Sequence, residues 1–110
     1  MRRVLLGDFG AIVRAGLDDL LRQQDVEVVH ADEAGLLRQL VDALPDVVVV
    51  DLDRAGTVEL VDRIVRDFPA LKVVACSSSR PLMRVYPPFH RGESYETVLD
   101  ANSLIRAVGD

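Results

Sequence analysis

The run Val47-Val48-Val49-Val50 constrains this chain more than any other feature. Valine is β-branched and stiff about its first side-chain torsion, which favours extended backbone over helix. Side chains alternate between the two faces of a strand, so an unbroken apolar run needs cover on both. That pattern marks a central strand of a parallel sheet with helices above and below it.

The rest of the chain supplies the partners such a strand needs. Val4-Leu5-Leu6 reads as a first strand ending at Gly7-Asp8, and Val26 to Val29 as a second. Between them, residues 10–23 carry Ile12, Val13, Leu17, Leu20 and Leu21 on one helical stripe. Asp32 is placed to cap a second helix with the stripe Leu36, Leu37, Leu40, Val41 and Leu44, stopped by Pro45. Thr57 is placed to cap a third, carrying Leu60, Val61, Ile64, Val65 and Phe68. Leu71 to Cys76 reads as a further strand. Residues 101–108 read as a closing helix, with Leu104, Ile105 and Val108 inward and Asn102 as its cap.

Between Ser77 and Tyr95 the pattern fails. Arg80-Pro81 and Tyr86-Pro87-Pro88 interrupt any helix, because proline lacks a donor and restricts the residue before it. The expectation there is one short helical turn at most, then loop, then a weak edge strand near 95–99.

The alternation of strands and helices predicts an α/β domain spanning residues 1–110, with a parallel sheet between helical layers. In such sheets ligands bind beyond the carboxyl ends of the strands. Asp8, Asp51 and Ser77 each follow a strand, so the three should meet at one pocket. A net charge of -5 argues against a nucleic-acid groove, which needs clustered cations. Cys76 is the only cysteine, which fits a reducing cytoplasm. The apolar stretch after Met1-Arg2-Arg3 is too short for a signal peptide or a membrane span, so neither is expected. His30 and His90 form no metal-ligand pattern, and Cys76 reads as strand packing.

Taken together, these segments resemble the receiver domains of bacterial response regulators, in the NarL/LuxR-type branch. The residues that carry the resemblance are Arg3 to Gly10 with Arg14, Gly16 and Leu17, then Pro45 to Leu52, Gly56, Val73 to Ser77, and Asp100 to Val108. The resemblance covers nearly the whole chain and is weakest at 80–99. It implies a flavodoxin-like doubly wound fold: three layers, α/β/α, around a five-stranded parallel sheet of order 2-1-3-4-5. The broken segment after Ser77 implies a fourth helix that is short or missing. By the same resemblance Asp51 is the phosphoacceptor position, Asp8 and Asp51 are the metal positions, and Ser77 and Glu96 are the switch positions. Tyr95 takes the second switch position if the register slips by one.

Against that family pattern the site is degenerate. Phosphoryl transfer to a carboxylate needs Mg²⁺ to neutralise the charges that meet. The family supplies two consecutive acids after the first strand, and here the pair is Asp8-Phe9. Its lysine at the end of the fifth strand falls on Leu99, and Lys72 is the only lysine in the chain. Asp53 adds a third acid near Asp8 and Asp51, a crowding that raises carboxyl pKa values unless a cation intervenes. Arg54 and Arg80 are the candidate charge partners, with a guanidinium against Asp51 standing in for the metal and the lysine. The expectation is Mg²⁺ binding that is weak or absent, and regulation without ordinary aspartate phosphorylation.

The partners implied are a second copy, through the first helix and the last (the family's fifth) with Leu104 or Val108 near the contact, and a DNA-binding output module outside these residues. Met83, Val85, Tyr86 and Phe89 form an apolar cluster that fills the space of the missing helix, covers the pocket or meets a partner. Two alternatives remain. One is a conventional phosphorylatable receiver. The other is an enzyme, since Asp51-Leu52-Asp53 followed by Gly56-Thr57 resembles the nucleophile motif of haloacid-dehalogenase-like phosphatases, where the second acid is the proton donor. In those enzymes the motif lies on the first strand and a later lysine and acid complete the site. Neither condition is met here, and the non-enzymatic reading stands first.

Overall fold

In the computed structural model, residues 2–31, 35–90 and 93–109 are described, without the side chain of His90. Six strands and four helices follow in the order β1 (Arg2–Leu6), α1 (Ala11–Arg22), β2 (Val26–His30), α2 (Leu36–Ala43), β3 (Val47–Asp51), α3 (Thr57–Asp67), β4 (Lys72–Ser77), β5 (Leu82–Tyr86), β6 (Tyr95–Val98) and α4 (Ala101–Gly109). A short 3₁₀ turn at Pro88–His90 links β5 to β6.

The strands form one mixed sheet of order β2-β1-β3-β4-β5-β6. β2, β1, β3 and β4 are parallel neighbours, while β5 runs antiparallel to β4 and β6 antiparallel to β5. The five-stranded parallel order 2-1-3-4-5 expected above is therefore corrected. The segment that follows β4 turns straight back as a hairpin strand, and the edge strand near residue 95 sits one place further out.

The prolines explain the change. Pro81 stands just before β5 and Pro87 just after it, where a missing N–H costs the ladder nothing. The five residues between them alternate, with Met83 and Val85 buried and Leu82, Arg84 and Tyr86 half-buried. Met83 and Val85 thus belong to the core and do not cover the pocket.

All four valines of β3 are buried, and they split by parity between two cores. Val47 and Val49 join Leu17 and Leu21 of α1 and Leu104, Ala107 and Val108 of α4. Val48 and Val50 join Leu36 and Leu40 of α2 and Val61 and Ile64 of α3. Helices therefore cover both faces of the sheet. Leu104 and Val108 are each about 1 % exposed, so they are core residues and are not available at a contact edge.

Two caps differ from expectation. Asp100 rather than Asn102 caps α4, accepting the backbone N–H of Ser103 at 2.8 Å. Thr57 opens α3 but sends its hydroxyl back to the carbonyl of Asp51 at 2.7 Å, and Gly56 takes the cap position with a left-handed φ of 84°. The expected cap Asp32 lies outside the described residues.

Candidate functional site

The carboxyl ends of β1, β3 and β4 carry Asp8, Asp51 and Ser77 to one end of the sheet. Gly7 makes the approach of β1 to β3 possible. Its N–H donates to the carbonyl of Val49 at 2.8 Å, and a Cβ at this position would stand 3.0 Å from the same oxygen. The chain then turns so that Asp8 faces a cleft while Phe9 is buried among Val4, Leu6 and the α1–α4 core. The residue that replaces the expected second acid is therefore a packing residue.

The cleft has a volume of about 230 Å³. Asp8, Asp51 and Arg54 supply its charge, and Leu36, Val50 and Leu60 its apolar wall. Arg54 holds Asp8: one guanidinium nitrogen, Nη1, lies 3.0 Å from the carboxylate Oδ2 and donates to the main-chain carbonyl at 3.3 Å. Both side chains are partly exposed, at 39 % and 30 %. The guanidinium expected against Asp51 is thus held by Asp8 across the same cleft. Asp51 turns its Oδ1 to the backbone N–H of Asp53 at 2.9 Å, an Asx turn that fixes the start of the loop.

Asp53 leaves the cleft. Its carboxylate accepts five hydrogen bonds from the Ser77-Ser78-Ser79 turn, the shortest from the buried Ser77 hydroxyl at 2.6 Å. That hydroxyl and the Ser79 and Ser78 N–H groups hold its carboxyl well below the usual carboxylate range. The crowding expected to raise this pKa is overturned by the serine turn. Sequence reasoning missed this role, although three consecutive serines after a strand were the available signal.

The remaining candidates lie elsewhere. Arg80 sits on the β4–β5 turn, where its charge reaches Glu96. Glu96 stands directly opposite Arg84 in the β5–β6 ladder and forms an ion pair with it, which lowers its pKa. Tyr95, its alternative at the switch position, is half-exposed at the outer edge of the sheet. Leu99 donates its N–H to the carbonyl of Pro81 at 3.0 Å and packs against the α1–α4 core. Because β5 intervenes, Leu99 follows a strand three places from β3, roughly 14 Å across the sheet at about 4.8 Å per strand. Cys76, paired with Asp51 in the β3–β4 ladder, has its thiol pushed up to about 12 by burial and then by the charge of Asp51. It is a packing residue with no thiolate at neutral pH.

A cation entering the cleft would meet Asp8 and Asp51, with Arg54 competing for the first. Among the described residues no group of three or more His, Cys, Asp or Glu side chains is placed to hold a metal ion. Nor, among them, is any helix long and apolar enough to cross a membrane. Comparison of the chain with protein-family models, with curated proteins and with solved structures found no match.

Proposed function

We propose that this chain is an atypical receiver domain that acts as a cytoplasmic signalling and interaction module and does not run the ordinary aspartate-phosphorylation cycle. Its fold is read as a flavodoxin-like domain in which a hairpin strand replaces the fourth helix. The observation that carries the reading is the Arg54–Asp8 pair beside Asp51. A fixed guanidinium holds one of the carboxylates that a Mg²⁺ ion would need, and Phe9 offers no second one. Mg²⁺ prefers near-octahedral oxygen ligands, and this donor set fits it poorly.

The phosphatase alternative is disfavoured by Asp53. A general acid must carry a proton near neutral pH. The serine turn keeps this carboxyl ionised far below that range. In the proposed role, a second copy docks through α1 and α4, where Ile12 stands 90 % exposed. A DNA-binding output module lies outside these residues, and this domain contacts neither nucleic acid nor membrane.

Magnesium titration followed by amide chemical shifts tests the reading. Wild type should show only weak binding at the Asp8 and Asp51 amides, and Arg54→Ala should strengthen it by releasing Asp8. Tight binding in wild type that Arg54→Ala leaves unchanged would overturn the role given to the pair.

A further inference from the structure

On the opposite face of the sheet from the acidic cleft, α4 leaves a second cavity of about 130 Å³ against β4, β5 and β6. Its lining is cationic and hydroxylic. Lys72 comes from the start of β4, Arg106 from the last turn of α4, Ser103 from the first, and Tyr95 and Thr97 from the edge strand. Met83 and Ala107 complete the lining. Among the described residues no carboxylate lines it, in a chain whose net charge is -5. Asp100, just before the helix, turns its Oδ1 to the Ser103 N–H at the helix start. The hydrogen bonds from Ser103 lower the Asp100 pKa most, and the charge of Arg106 adds a smaller pull from the far end of α4.

We propose that this cavity is a binding site for a phosphate-sized oxyanion, taken either as the free ion or as the terminal group of a phosphomonoester. Two cations and three hydroxyls from three separate elements converge on a space large enough for several water molecules. Charged donors make hydrogen bonds to phosphate that are stronger than neutral ones, and arginine binds it through a planar fork. Lys72 donates to the carbonyl of Ala107 at 2.9 Å, which holds its ammonium between β4 and α4. An anion held there would tie α4 to the outer hairpin. It would give the domain an input that does not use Asp51. The inference is independent of the receiver reading, because it rests on other residues on the other face.

Amide chemical-shift titration of the intact chain with inorganic phosphate, at matched chloride ionic strength, tests it. The expected result is saturable shifts at Thr97, Ser103 and Ala107, with affinity falling about tenfold or more in Arg106→Gln. Thr97→Val should weaken binding by a smaller factor, and Arg38→Gln on α2 should leave it unchanged. A parallel titration with phenyl phosphate separates the sources. Tighter binding of the ester supports a phosphorylated ligand, and equal or weaker binding supports the free ion. Absence of saturable shifts with both compounds overturns the proposal, as do shifts that persist unchanged in both Arg106→Gln and Thr97→Val, each shown to be folded by its amide spectrum.

Discussion

Arg54 binds Asp8 twice, once at its carboxylate and once at its main-chain carbonyl, through the same guanidinium nitrogen. The pair spans the loops that follow β3 and β1, so it ties together the two strand ends that border the cleft. Its contribution to stability is small. Both partners are partly exposed, and ion pairs of that kind contribute about 0–1 kcal/mol. Its effect is local and electrostatic: it sets which charges a ligand in the cleft would meet.

Asp53 gives the clearest pH signature. Its pKa is depressed in the folded chain, so its stabilising effect is present above the unfolded value of about 3.9 and is lost as pH falls through the folded one. Asp53→Asn should therefore destabilise at neutral pH, on the order of 1 kcal/mol because water competes for an exposed carboxylate. The gap between variant and wild type should narrow as the pH drops below about 4. Urea unfolding at neutral and acid pH measures this, and a gap that widens on acidification contradicts the serine-turn account.

The hairpin makes a packing prediction. Met83 is 1 % exposed against α4, whereas its neighbour Leu82 is half-buried. Met83→Ala should cost about 2–5 kcal/mol, as large-to-small changes in cores do. Leu82→Ala should cost distinctly less. Equal and small losses in denaturant unfolding would mean that this segment is not a core strand.

Contact between copies can be separated from folding by two variants. Ile12 is exposed on α1 and Leu104 is buried under α4. Ile12→Glu should abolish a homodimer in light scattering while the far-ultraviolet circular dichroism stays unchanged. Leu104→Glu should unfold the chain, because a charge buried without a partner costs several kcal/mol. A dimer that survives Ile12→Glu would place the contact on another surface.

How far these features were legible depends on the kind of signal. The valine run of β3 and most of the helical stripes of α1 to α3 read correctly, because periodicity reports burial, but Ile12, Val41 and Leu44, placed on those stripes, are exposed. The segment 80–99 did not. Proline argues against helix with equal force whether the alternative is a loop or a strand. The alternation from Leu82 to Tyr86, bracketed by Pro81 and Pro87, was the cue that favoured a strand. That single hairpin moved the Leu99 position one strand further from Asp51 than expected, from two places to three. At the site, strand-end residues were found by position alone, but hydrogen-bond partners were not. Asp53 and the three serines meet across 24 or more positions of sequence, a pairing that no local pattern encodes.

Phosphorylation at Asp51 is the most direct test of the account. Intact mass should be measured after incubation with acetyl phosphate and Mg²⁺, for wild type and for Asp51→Asn, whose fold and stability should match wild type. The account predicts that wild type remains almost wholly unmodified, because Phe9 is in the core, Asp8 is held by Arg54, and no lysine stands near the cleft. A stable, near-complete gain of one phosphoryl group that disappears in Asp51→Asn would contradict it and restore a conventional receiver.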